Sequence, residues 1–271
     1  MRYYQNLHTH STFSDGKNSP EEMILAAIGR GFGSIGFSEH SPTKTFVSNA
    51  DKLDAYQAEV RALAERYKDS IDVFCGLEYD VTSVCSYSGY DYLIGSAHRV
   101  QRDGLSFLVD GSVEEVEKGI EQGFGGDGLA FALAYFRAIS CLPSVAPIDI
   151  IGHFDLASKN IERANFFDPS APEYQKAGME AIDALAGKIP FFEVNTGAIA
   201  RGYRTTPYPA PEFVREFKRR GFGVVITSDC HDARLLDCGY EDAVALLESC
   251  GYTEQYVLRK GGFEAVPLRV V

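Results

Sequence analysis

The chain has 271 residues, 45% of them apolar and 24% charged, with a formal net charge of −12. Those proportions are of a soluble globular protein, and the length suits one α/β barrel, commonly about 250 residues. The acidic balance excludes a broad nucleic-acid surface, and no apolar run reaches the roughly 18 residues of a membrane span. No basic-then-apolar leader opens the chain and the six cysteines form no C-x-x-C pair, so a cytoplasmic protein with free thiols is expected.

β-rich runs alternate with amphipathic helical stretches from end to end. The first predicted strand, Tyr3–His8, leads into "HTHSTFSDG". In "SPEEMILAAIGRG" Ser19 is the N-cap, Pro20 the first helical residue, Glu22 the partner of a capping box and Gly31 the stop. A second strand, Ser34–Ser38, precedes the helical "DKLDAYQAEVRALAERYKDS", and strands Asp72–Glu78 and Tyr92–Ala97 follow. Residues 104–147 read as an insertion with two helices, "SVEEVEKGIEQ" and "DGLAFALAYFRAISCL", packed beside the barrel. Strands Ile148–His153, Phe191–Asn195 and Gly223–Ser228 complete the series, with helical "APEYQKAGMEAIDALAGK", "APEFVREFKRRG" and "YEDAVALLESCG" between and after them. "IDIIGHF" and "GVVITS" are near-continuous apolar runs, as strands buried on both faces should be. Alternation of this kind predicts a parallel sheet closed into a barrel, and the absence of linkers or repeats predicts one domain over 1–271.

In such a barrel the chemistry sits at the C-terminal ends of the strands. The seven predicted ends present His8 and His10 with Asp15; Glu39 and His40; Glu78; His98; His153 and Asp155; Glu193 and Asn195; and Asp229 with His231. Residues two apart in a strand share a face, so His8 and His10 stand side by side, as do Asp229 and His231. Cys230, between the latter pair, should turn into the barrel wall, and Asp232 should cap or belong to a loop. A buried structural histidine is the ordinary reading of any one of these, but all six histidines of the chain lie on this rim. Imidazole with carboxylate suits zinc, manganese or iron. The candidates exceed what one tetrahedral ion can take, so more than one ion is expected, with Glu78 bridging.

"HTHSTFSDG", "GFSEHSP", "GLEYD", "GSAH", "IGHFD", "EVNTG" and "TSDCH" resemble, in order, the motifs of the polymerase and histidinol phosphatase (PHP) family, from His8 to about Asp232. "SEHSP", "EVNTG" and the chain length look like its histidinol-phosphate phosphatase branch. The resemblance implies a distorted (β/α)7 TIM-like barrel and a metal-dependent phosphomonoesterase acting on L-histidinol phosphate. It also implies three divalent transition metal ions: one on His8, His10, Glu78 and Asp229, a second on Glu78, His98 and His153, a third on Asp15, His40 and His231. Asp15 departs from the histidine of some relatives. Glu39 stands where many have aspartate and is read as a supporting residue.

A phosphate monoester is hydrolysed very slowly unaided, so the expected reaction is in-line attack by a hydroxide that two ions share, with Glu78, Asp229 and His231 as the catalytic set. Arg201, in "GAIARGYRTT", is the best-placed bidentate phosphate clamp, with Arg204, Lys159 and Asn195 as further substrate contacts. Arg201 is not a ligand, so its replacement should leave metal content unchanged. Two other readings exist: a PHP-type phosphatase or phosphodiesterase for another small ester such as a nucleotide, and an inactive metal-binding module. The complete ligand set argues against the second. The small phosphorylated substrate is the one expected partner, without nucleic acid or membrane; no oligomeric state follows from the sequence.

Overall fold

The computed structural model describes residues 2–43 and 51–270. In chain order the strands are β1 (Tyr3–Asn6), β2 (Phe32–His40), β3 (Asp72–Asp80), β4 (Tyr92–Ser96), β5 (Arg99–Arg102), β6 (Leu105–Leu108), β7 (Ile150–Ile151), β8 (Phe191–Asn195), β9 (Gly223–Thr227), β10 (Glu254–Arg259) and β11 (Gly262–Pro267). The helices are α1 (Pro20–Arg30), α2 (Leu53–Tyr67), α3 (Val113–Phe124), α4 (Gly128–Ile139), α5 (Pro172–Leu185), α6 (Gly197–Ala200), α7 (Pro211–Arg219) and α8 (Tyr240–Ser249). Seven parallel strands form one sheet in the order β1-β2-β3-β4-β7-β8-β9.

The outer strands of this sheet meet only past their ends. A parallel bridge joins Thr9 to Cys230, with His10 N–H donating to the Cys230 carbonyl at 2.8 Å and Cys230 N–H to that of His8 at 3.1 Å. Two backbone hydrogen bonds close the barrel, backed by side-chain bonds between Asn6 and Ser228.

Helix α1 starts as its sequence dictates. Ser19 N–H donates to Glu22 Oε2 at 2.8 Å, the Ser19 hydroxyl accepts from Glu22 N–H, and Gly31 ends the helix at φ +79°. The segment 104–147 holds the two expected helices, but its first strand belongs to a hairpin, β5–β6, that the sequence reading did not include. Asp103 and Gly104, both at positive φ (51° and 79°), make the turn. Asp-Gly is the pair such a two-residue turn selects, so the signal was present. The fifth barrel strand pairs over two residues only, shorter than expected.

Most of the core lies between the sheet and its helices, where Phe136, Phe154, Tyr174, Phe213 and Phe217 pack ring against ring. A smaller set, Leu7, Phe74, Tyr92, Ile94, Ile150 and Val225, fills the barrel interior together with Leu258 of β10. The β10–β11 hairpin seals the N-terminal mouth, where Gln5 Nε2 donates to the Tyr256 carbonyl and Leu258 N–H to Gln5 Oε1, both at 2.8 Å. Among the described residues, that plug leaves the C-terminal mouth as the open end. All six cysteines are free thiols, and no helix among the described residues is long and apolar enough to cross a membrane.

Tyr92 spans the interior because two neighbours lack side chains. A Cβ on Gly76 would lie 2.3 Å from the Tyr92 ring, and one on Gly36 would lie 2.4 Å from its hydroxyl. The hydroxyl donates to the carbonyls of Leu7, next to His8, and of Phe37. Gly76→Ala should therefore destabilise the fold by about 1–3 kcal/mol through overpacking. Urea unfolding measures this, and an unchanged midpoint would mean that the ring can move aside.

Candidate metal centre

Strand ends and closure assemble the cluster together. The Thr9–Cys230 bridge sets His8 and His10 directly against Asp229 and His231. Asp229 adopts φ +46°, a left-handed conformation uncommon outside glycine and tolerated best by Asn and Asp. On the other side, β2 and β3 pair in a register that makes His40 and Glu78 direct neighbours. His98 follows β4, and His153 follows β7.

Glu78 is the hub. Its Oε1 lies 2.8 Å from His153 Nε2, 3.2 Å from His98 Nε2 and 3.6 Å from His8 Nε2; its Oε2 lies 2.7 Å from His40 Nδ1 and 3.7 Å from His10 Nε2. Asp229 Oδ1 lies 3.6 Å from His8 Nε2 and 3.4 Å from His10 Nε2. Asp15 Oδ1 lies 3.4 Å from His40 Nε2 and 3.3 Å from His231 Nε2. Burial would raise the Glu78 carboxyl, but the charges of His98, His40 and His8 outweigh it and hold the group well below the usual carboxylate range. His10 is pushed the other way, down to about 3, by burial and by His231 and His40, so its ring stays neutral with a lone pair to give.

These residues fit divalent cations. Bonds of about 2.0–2.1 Å in tetrahedral geometry place ligand atoms about 3.4 Å apart. The pairs within the first and third expected sets, at 3.3–3.7 Å, match. The contacts of Glu78 to His153 and His40, at 2.8 and 2.7 Å, are shorter than this spacing. Buried and without a hydrogen-bond partner are His8 Nε2 and both ring nitrogens of His10. Unpaired buried polar atoms are costly, and several converging on one point are what a cation relieves. His10 also stacks between His40 and His231, with centroids 4.3 Å away on each side, so the first and third sets abut.

A ring of acceptors behind the ligands sets their orientation. Glu193 Oε2 stands 2.9 Å from His8 Nδ1 and accepts from the Thr227 hydroxyl, while its Oε1 accepts from His153 N–H at 2.7 Å. Asp80 Oδ2 stands 3.2 Å from His98 Nδ1 and accepts from the His98 amide at 2.9 Å. Sequence reasoning placed Glu193 on the rim without a task and passed over Asp80. The signal was there, since Asp80 is two residues beyond Glu78 on the same face of β3. Glu39 supports the site as expected: it accepts from the amide and hydroxyl of Ser11 and from the Ser14 hydroxyl, fastening the loop that carries Asp15. Burial pushes its carboxyl up to about 7 against those hydrogen bonds.

The cleft above this cluster has a volume of about 240 Å³ and is walled by Asp15, His40, Glu78, His98, His153, Asp229 and His231 together with Asp110, Leu156, Lys159, Arg201 and Tyr203. Of the four expected substrate contacts, Arg201 and Lys159 are on this wall, but both have other partners. Arg201 Nη2 donates to Asp229 Oδ2 at 2.8 Å, and Nη1 donates to the Asp229 carbonyl and approaches His231 Nδ1, each at 3.0 Å. Lys159 Nζ donates to the Asp110 carbonyl and lies 4.2 Å over the Tyr203 ring. Asn195 and Arg204 are not on the wall, which corrects the expectation for both. Asn195 is fully buried, donating to Glu193 Oε1 at 2.7 Å and accepting from Gly197 N–H at 2.8 Å. Arg204 turns behind the rim to donate to the Ser158 hydroxyl at 2.6 Å, 4.0 Å from Asp155, whose Oδ2 accepts from Ala210 N–H. Cys230 is buried in the wall, and Asp232 caps the short turn 233–235, as read from the sequence.

Six imidazoles and three carboxylates converge at the open end of a parallel barrel, a donor set suited to divalent metal ions. The chain belongs to the PHP domain family, whose sequence profile matches residues 6–197. A Bacillus subtilis histidinol-phosphatase is 24% identical over 271 residues, covering 90% of this chain and 98% of that protein. A Deinococcus radiodurans protein named "Probable histidinol-phosphatase" is 28% identical over 249 residues, covering 86% of this chain and 88% of that one. The crystal structure of histidinol phosphate phosphatase from Lactococcus lactis, complexed with zinc, L-histidinol and phosphate, superposes with a TM-score of 0.68 at 21% identity, covering 96% of this chain and 98% of that one. The fold is shared over nearly the whole chain.

Proposed function

We propose that this protein is a histidinol-phosphatase, a metal-dependent phosphomonoesterase that hydrolyses L-histidinol phosphate to L-histidinol and phosphate in cytoplasmic histidine biosynthesis. The observation that carries the reading is the Glu78 carboxylate ringed by five imidazoles at the floor of a small cleft, within a family whose full-length relatives bear that name. The cleft volume suits a small ester rather than a polymer strand.

His8, His10, Glu78 and Asp229 would hold one ion; Glu78, His98 and His153 a second; Asp15, His40 and His231 a third. When bound, such ions lower the pKa of water and neutralise phosphate charge. Glu193 and Asp80 fix the tautomers of His8 and His98, keeping Nε2 of each free to ligate. Arg201 aims Asp229 at the cluster. Of its five N–H donors at most three are engaged, which leaves at least two for a phosphate oxygen. Glu193 and Asn195 shape the floor without touching substrate.

The test is a panel of phosphate esters assayed with zinc-, manganese- and iron-loaded protein, alongside metal analysis. The expected result is the highest kcat/KM for L-histidinol phosphate, with between two and three equivalents of metal bound. Faster turnover of a nucleotide, or less than one equivalent of metal, overturns the reading.

A further inference from the structure

Four carboxylates face the cleft, and three of them, Asp15, Glu78 and Asp229, stand within 3.7 Å of histidine nitrogens. The fourth, Asp110, belongs to no histidine–carboxylate group among the described residues. Its carboxylate makes no hydrogen bond and no ion pair there; only its backbone carbonyl is engaged.

The position of Asp110 is nevertheless built. Its carbonyl accepts from Lys159 Nζ, and the Gly111 carbonyl accepts from Asn160 Nδ2 at 3.1 Å. Both donors are buried, Lys159 at 8% and Asn160 at 2% exposure. On one side Val109 N–H donates to the carbonyl of the ligand His98 at 2.9 Å. On the other, Ser112 and Glu115 close a capping box that fixes the exit into α3. Residues 109–112 are thus pinned at four points, and the one group left over is the carboxylate of a residue that lines the cleft, close enough for its charge to act on His98, Lys159 and Arg201.

A negative charge here opposes phosphate binding, and its neighbours on the wall, Lys159 and Arg201, are the groups that favour it. Such a carboxylate has a use when the ester also carries a cation. A protonated amine, with three N–H donors, forms a charge-assisted hydrogen bond to a carboxylate that no hydrogen bond already occupies. We propose that Asp110 receives the ammonium group of an amino-alcohol phosphate and so selects amine-bearing esters over neutral ones of the same size. This rests on the reading of the cleft as a phosphomonoesterase site, but not on histidinol phosphate being its particular substrate.

The experiment compares kcat/KM for O-phosphoethanolamine and for its amine-free analogue, ethyl phosphate, in the metal-loaded wild type, D110N and D110E. One charged hydrogen bond is worth roughly tenfold to 150-fold in selectivity, so the wild type should prefer the amine ester by at least about tenfold. D110N should bring that ratio close to one, chiefly by raising KM for the amine ester, while D110E should keep part of it. A ratio unchanged in D110N overturns the assignment, as does an equal loss on both esters, which would mark a structural role. Metal content and thermal midpoint, measured alongside, identify a folding defect. If the wild type hydrolyses no phosphate monoester at all, the phosphomonoesterase reading falls first and takes this assignment with it.

Discussion

Glu78→Gln is expected to lower turnover by at least about 100-fold while the protein stays folded. The substitution keeps the shape and replaces an anion shared by two ligand sets with a neutral amide, which bridges cations poorly. Five histidine nitrogens lie between 2.7 and 3.7 Å of this carboxylate, so its charge is the common counter-ion of the cluster. The loss should therefore appear in metal content as well, with two ions weakened together. Steady-state kinetics with metal analysis on the same sample checks both. Turnover near the wild-type value would mean that Glu78 only orients imidazoles and that the ions are held another way.

Arg201→Ala should reduce kcat/KM by roughly tenfold to 150-fold, equivalent to about 1.5–3 kcal/mol for a charged hydrogen-bonding partner. Its metal affinity should fall as well, contrary to what the sequence suggested, because the guanidinium holds Asp229, one of the proposed ligands, through both its carboxylate and its carbonyl. Loss of a residue that orients a ligand typically costs 10–100-fold in affinity. The two roles separate by titration. At saturating metal the contribution through Asp229 is restored, and what remains missing is the phosphate contact. Arg201→Lys should recover part of the charge effect but not the fork. Full activity of Arg201→Ala at saturating metal would place the phosphate clamp elsewhere on the wall, with Lys159 next to test.

Much of this protein follows from the sequence because the relevant rules are local. The capping box at Ser19 and Glu22, the apolar runs of β7 and β9, and the two-residue spacing of His8 with His10 and of Asp229 with His231 depend on neighbours in the chain. Strand alternation turns that spacing into a shared face whatever the rest of the fold does. Asp80 and the Asp103–Gly104 turn were legible by the same rules and were passed over. Which side chains end up as partners is another matter. The sequence placed Arg201, Arg204, Lys159 and Asn195 near one rim, yet only the assembled barrel turned Asn195 onto Glu193, drew Arg204 behind toward Ser158 and gave Lys159 to the carbonyl of Asp110. Those choices rest on strand register, on rotamers and on segments 2 to 49 residues apart meeting in one place. The barrel closure is the extreme case. His8 and Asp229 are brought together by two backbone hydrogen bonds across Thr9 and Cys230, and no local pattern encodes a contact that exists only once seven strands have curled far enough for the first to meet the last.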